Sequence, residues 1–204
     1  MARPKKQEKR RRELMEAAQR AIATRGLGAL RLKDVAEEAG MTGPAVSYYY
    51  PDLKELLVDV YERQAQLYLT EAPRVLEGSR DPWTRLTDAV LQDLPTGPDD
   101  VDSIIMYQFA GEPSFIETYR ELSSTLHERQ VEIYSSIIEA GMDAGVFSPA
   151  LPVDLVARTI IALADAYGLQ VVVGEPGMTR QLALHEILAA AGDLLRTDRP
   201  TTSS

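Results

Sequence analysis

Residues 32–57 read LKDVAEEAGMTGPAVSYYYPDLKELL. Leu32, Val35, Ala36 and Ala39 fall at i, i+3, i+4 and i+7, one apolar stripe on a helix. Gly40 supplies the left-handed residue that ends such a helix. Thr42 follows at an N-cap position, with Gly43 and Pro44 in the first turn, where a missing N–H does no harm. The helix they open is short. Val46 and Tyr50 are four apart and point inward, while Ser47 and Tyr48 point out. Pro51-Asp52 breaks the chain and Leu53 opens a further helix. A helix, a glycine turn and a second helix with Thr, Gly, Pro, Ser and Tyr on its outer face form the helix-turn-helix layout. Small residues at the start of the second helix let backbone N–H groups approach phosphates and base edges, and tyrosine hydroxyls donate to phosphates. The same pattern fits a helical hairpin without a ligand, so the flanking sequence decides.

The longer segment ELMEAAQRAIATRGLGALRLKDVAEEAGMTGPAVSYYYPDLKELL, residues 13–57, resembles the DNA-binding domain of the TetR family of bacterial transcription regulators. The likeness is close from residue 10 to residue 57. It rests on Ala17-Ala18, Arg25-Gly26, Asp34-Val35-Ala36, Ala39-Gly40 and the run Tyr48-Tyr49-Tyr50 before Pro51, which are specific as a set. The remaining residues are similar to the family's ligand-binding domain in length and helical character alone, with a distant likeness to the BetI-like branch in the C-terminal third. The resemblance implies DNA contacts from Arg31, Lys33, Thr42, Gly43, Pro44, Ala45, Ser47, Tyr48, Tyr49 and Lys54. Three positions depart from the family pattern. Arg31 stands where Ser or Thr is common, Ser47 where Tyr is usual, and Leu53 where Lys is common, with Lys54 one place later. Arg31 and Lys54 are expected to replace two phosphate contacts by longer reach.

Composition bounds the rest. A chain of 204 residues allows one or two domains and a substantial core. There is no Cys, hence no disulfide, thiolate nucleophile or Cys-based zinc site. No apolar run is read as a membrane span, and the basic N-terminus lacks the apolar segment of a secretory signal, so a cytoplasmic location is expected. The net charge of −9 at first opposes DNA binding, but it is unevenly spread. Residues 1–57 hold 12 Lys+Arg against 8 Asp+Glu; the remainder holds 10 against 23. A positive end meets phosphates while an acidic body stays in solvent.

Read in order, residues 1–12 form a basic arm expected to be disordered, with seven cationic residues and one acid, suited to a groove or the phosphate backbone. Residues 13–57 form a three-helix DNA-binding domain, whose first helix buries Leu14, Ala17, Ala18, Ala21 and Ile22. A helix from Leu53 to about Thr70 links this domain to the body. The body, residues 58–196, reads as helical throughout: a short helix near Arg74–Leu76, then Pro82–Leu94, Val101–Ala110, Ser114–Ala144, Val153–Val173 and Thr179–Leu195, with Gly145 ending the long one. Residues 197–204 are a tail. The fold class is all-α, with an N-terminal helix-turn-helix domain and a larger helical ligand-binding and dimerisation domain.

The last two helices are apolar over more than half their circumference and rich in Ala157, Ala162, Ala164, Ala166, Ala189, Ala190 and Ala191. Periodicity alone fits a core as well as an interface; the family resemblance implies a homodimer formed through these helices. It also implies a small-molecule effector of unknown identity in the body. Candidate contacts are Trp83, Met106, Tyr107, Phe109, Tyr119, His127, Tyr134 and Asp165, with Tyr68, Phe115, Gln130 and Met142 as further neighbours in pattern. Asp165 stands out, because a carboxylate within IIALADAYGL must be paired, interfacial or facing a cavity.

No enzyme, cofactor or metal is indicated. His127 and His185 are the only histidines and lie far apart, no glycine loop cradles a phosphate, and no serine sits in a nucleophile elbow. The sequence therefore points to a ligand-responsive repressor that binds a palindromic double-stranded operator as a dimer. The alternative, favoured by Ser47 and Leu53, is a helical ligand-binding or protein-interaction module without DNA binding.

Overall fold

The computed structural model describes residues 2–71, 73, 81–111 and 116–196. Among them the chain forms nine α-helices and no strand: α1 Ala2–Arg25, α2 Leu32–Glu38, α3 Gly43–Ser47, α4 Leu53–Glu71, α5 Pro82–Asp93, α6 Val101–Gly111, α7 Ile116–Asp143, α8 Val153–Val172 and α9 Arg180–Leu195. The expected short helix near Arg74–Leu76 lies outside the described residues. Helix ends fall where local chemistry puts them. Gly40 and Gly145 take positive φ, 62° and 69°, behind α2 and α7. Asp52 accepts the Glu55 N–H at 2.9 Å at the start of α4, and Thr179 accepts the Leu182 N–H at 3.1 Å at the start of α9. Thr42 has the extended backbone of an N-cap, yet its hydroxyl makes no capping bond.

The chain divides into two compact units, residues 1–67 with 101–122, and residues 68–100 with 123–204. The first unit, the head, has a core built by Leu14, Ala18 and Ile22 of α1, Val35 of α2, Val46 and Tyr50 around α3, and Leu56, Val60 and Tyr61 of α4. It departs from the sequence expectation in two ways. First, α6 belongs to it: Ile105 and Phe109 are fully buried in the head's core, Phe109 stacks on Tyr61 at 4.9 Å, and Gln108 accepts the Leu27 N–H at 2.8 Å. Periodicity showed an apolar helix without showing what covers it. Second, the basic arm is helical, continuous with α1. Its Lys, Arg, Gln and Glu residues are good helix formers, and Pro4 sits in the first turn. Glu13 pairs with Lys9 at 3.9 Å and Arg10 at 2.6 Å.

In the second unit, the body, α8 packs on α9 and both pack on α5. Val156, Ile160 and Ala164 of α8 meet Ile187 and Ala191 of α9, Leu86 and Val90 of α5, and Ile133, Tyr134 and Ile137 of α7 in one apolar cluster. Phe147 turns back from the loop after α7 to meet Trp83 edge-on at 5.3 Å. Gly141 makes this possible: a Cβ there would lie 2.0 Å from the Phe147 ring. Contrary to the sequence reading, one helix among the described residues is long and apolar enough to cross a membrane. It is α8, with mean hydropathy 1.5 over its best window. Its packed inner face, its Arg158 and its Asp165 belong to a helix held within a protein.

Candidate nucleic-acid interface and effector site

The residues expected from the sequence to contact DNA lie on α2, α3 and the turn that follows. Arg31 and Lys33 at the start of α2, Thr42, Gly43, Pro44 and Ser47 on α3, Tyr48 after it, and Lys54 on α4 are all exposed, with Ala45 and Tyr49 half-buried. Tyr48 is 74% exposed. The three consecutive tyrosines divide their work. Tyr48 points out, Tyr49 meets it edge-on at 5.1 Å, and Tyr50 is fully buried. Val46 and Tyr50 face inward as the i, i+4 spacing requires. The buried Asp34 holds α2 in place: it accepts the Arg31 N–H at 2.8 Å and the Arg25 guanidinium at 3.2 Å. This leaves the Arg31 side chain outside, free of any capping bond to α2.

The sequence-predicted effector residues do not form one group. Met106, Tyr107 and Phe109 lie on α6 in the head; Trp83, His127, Tyr134 and Asp165 lie in the body. Phe109 is fully buried against Tyr61, and Trp83 is 8% exposed against Phe147. Both are packed into apolar cores, as is Tyr134, which is 1% exposed. The Tyr119 side chain and Phe115 lie outside the described parts. His127 meets Arg158 across α7 and α8, Nε2 to Nη1, at 3.0 Å.

The body does bring together a polar cluster that the sequence only partly revealed. Asp93, at the last turn of α5, accepts the Tyr68 hydroxyl at 2.7 Å and the Tyr134 hydroxyl at 2.8 Å. Gln130 contributes a further side-chain hydrogen bond. Among the described residues no lysine or arginine binds this carboxylate. Burial outweighs its hydrogen bonds and lifts the Asp93 carboxyl to about 6, with the nearby Asp165 charge adding to the rise. Burial likewise raises Asp165, and raises the Tyr68 and Tyr134 hydroxyls, which also face the Asp93 charge. Asp93 is half-buried as a residue and Asp165 is exposed. Carboxylates enclosed by protein but still reached by solvent suit a small solute bearing positive charge.

Comparison with known proteins fits this geometry. Residues 14–60 match the family model of bacterial regulatory proteins, tetR family. An uncharacterised helix-turn-helix transcriptional regulator of Bacillus subtilis, YfiR, is 26% identical over 164 residues, 78% of each chain. The transcriptional repressor KstR2 of Mycolicibacterium smegmatis is 23% identical over 157 residues, 77% of each chain. Among solved structures, a regulator from Saccharomonospora viridis in complex with choline is 27% identical, with a TM-score of 0.80 over 88% of this chain and 94% of that one. A helical fold headed by an exposed helix-turn-helix defines a DNA-binding transcriptional regulator. Residues 14–60 thus carry the DNA-binding domain of the tetR family, and over about three quarters of its length the chain is similar to regulators of transcription. The relatives are regulators of transcription and not enzymes.

Proposed function

We propose that this regulator is a repressor that binds a palindromic operator as a homodimer and releases it when a small organic cation enters the body. The observation that carries the reading is the outward face of α3. Its Thr42, Gly43, Pro44 and Ser47, with Tyr48, are exposed on a rigid head in a protein whose positive charge is concentrated at that end. Arg31, Lys33, Lys54 and Tyr49 flank it as phosphate contacts, and Ala45 lets the backbone approach. No catalysis, cofactor or metal is assigned, and an operator-binding protein acts in the cytoplasm.

For the dimer, α8 presents Leu155, Ala162, Ala166, Leu169 and Val173 outward at spacings of 7, 4, 3 and 4 residues, the period of a helix-packing seam. Leu155, Leu169 and Val173 are 45%, 46% and 65% exposed. Leu182 of α9 is also exposed. Ala157, Ala164 and Ala191, by contrast, pack inside the subunit itself.

For the effector, the Asp93 carboxylate and the rings of Tyr68 and Tyr134 offer the charge and aromatic faces that hold a quaternary ammonium. The similar regulator from Saccharomonospora viridis binds choline, which makes choline the first probe. Asp165 adds negative charge beside the seam, where it serves the ligand or the partner subunit. Population arithmetic makes the switch modest: a coupling of about 1–3 kcal/mol lowers operator affinity roughly 5- to 150-fold.

The test is selection of the purified protein on random duplex DNA. Enrichment of a palindrome, with affinity falling steeply as salt rises, supports the reading. A folded protein that enriches nothing at low salt is an interaction module instead.

A further inference from the structure

Arg11 lies in the basic run that reads as a DNA-binding arm, but it is turned away from that task. Its guanidinium sits 4.3 Å over the Tyr50 ring. It donates to Asp59 Oδ2 from Nε and Nη2, at 3.3 and 2.9 Å, to Glu55 Oε1 at 3.3 Å and to the Tyr49 carbonyl at 3.4 Å. Tyr50, fully buried, donates its hydroxyl to the same Asp59 oxygen at 2.8 Å. One carboxylate oxygen of α4 thus holds both α1 and the turn that closes the recognition helix. A guanidinium fork engaged on two carboxylates and an aromatic face has little left to offer a phosphate.

We infer that Arg11, Tyr50 and Asp59 form a clasp that sets the angle of the recognition helix on α4, and that Arg11 is a positioning residue for operator reading rather than a phosphate contact. The clasp lets any displacement of α4 reach Tyr48 and Ser47, which flank it in the chain. Neighbouring Arg10 and Arg12 have no such ties to α4, so the arm holds two kinds of arginine. The bond from α4 to the reading face is polar and one-third open to solvent, which suits a joint that moves without dismantling the apolar core.

The experiment uses the intact protein, the palindromic duplex recovered by selection, and a scrambled duplex of the same length. Failure of the selection would count against operator binding itself; the clasp is judged by a ratio of affinities. Arg11→Gln should lower affinity for the selected duplex about tenfold, the worth of one charged hydrogen bond. Affinity for the scrambled duplex should hold, and so should the slope of log affinity against log salt. Arg11→Lys keeps the charge but loses the fork and the stack, and should lose nearly as much. Asp59→Asn removes a negative charge from the head yet should weaken specific binding too, and the double variant should be no worse than either single one. Tyr50→Phe, which keeps the core filled, should give a smaller loss of the same kind. The inference is overturned if Arg11→Lys binds like the parent, if Arg11→Gln flattens the salt slope by about 0.9, the signature of one lost phosphate contact, or if specific and scrambled binding fall together.

Discussion

Two aspartates, Asp59 in the head and Asp93 in the body, accept tyrosine hydroxyls at nearly the same distance, 2.8 Å from Tyr50 and 2.7 and 2.8 Å from Tyr68 and Tyr134. They differ in what completes them. Asp59 is met by the Arg11 guanidinium of its own chain, so its charge is balanced within the head. Among the described residues Asp93 is met by neutral donors alone, and its carboxyl is pushed up to about 6 by burial. One carboxylate is a finished structural joint. The other is an enclosed charge that the described chain leaves without a cation, at a cost in stability. On the proposed function, the head positions and the body takes up a cation.

The largest effect expected tests the frame that carries both sites. Leu169→Glu with Val173→Glu places two charges on the outer seam of α8, which the subunit's own core does not use. The dimer should weaken by about 100-fold or more, read by sedimentation, with operator affinity falling as the two heads lose their linkage. Ala164→Glu is no substitute, because Ala164 is 1% exposed inside the subunit and a charge there unfolds it. A double Glu variant that stays dimeric would remove α8 from the interface.

Next in size is Asp93→Asn. It should weaken choline binding about 10- to 100-fold, read by calorimetry, as expected for a lost charged contact. It should also raise the melting temperature of the ligand-free protein at pH 7.5 by a few degrees. The sign follows from the raised carboxyl. Above about 6 the folded protein carries an ionised, enclosed Asp93 that the unfolded chain holds in water. As pH falls through about 6 the folded form takes up a proton first and gains stability. Choline affinity should move the other way, falling about tenfold per pH unit below that point. The Asn variant should lose both dependences, whereas changes at Asp59 should leave choline binding alone.

The smallest effects test one packing contact in the body and one hydroxyl in the head. Gly141→Ala, in the body, should cost about 1–3 kcal/mol by driving a methyl into Phe147 without touching DNA contacts. Tyr48→Phe removes one exposed neutral hydroxyl and should lower operator affinity about 3- to 10-fold, one hydrogen bond's worth, with the salt slope unchanged. Unchanged affinity would take Tyr48 off the phosphate.

The two regions were unequally legible in sequence. In the head, function rests on residues close in the chain, so Gly40, Pro44, Val46 and the tyrosine run announce the reading face directly. Arg11 misled, because seven cations in twelve residues look like one tail; nothing local says that one of them folds back over 48 residues to Asp59. The sequence leaves the role of Phe109 and Trp83 open for a related reason: an aromatic at helical spacing fills a core and lines a pocket with the same pattern. In the body, helix ends were readable from Pro82, Gly145 and Thr179. The polar cluster was not, since Tyr68, Asp93 and Tyr134 are 25 and 41 residues apart and Asp93, before Leu94-Pro95, looks like a solvated turn. Asp165 was found because an acid inside an apolar run is conspicuous; Asp93 is the more enclosed of the two and had no such contrast.

The most direct test is a titration of choline into the protein held on its selected duplex, followed by fluorescence anisotropy, for the parent and for Asp93→Asn. Release of the parent from DNA over a saturable range, with the Asn variant staying bound, is the predicted result. Choline that binds both proteins alike, or that binds the parent and leaves the duplex in place, would contradict the reading of Asp93 as the charge that the effector completes.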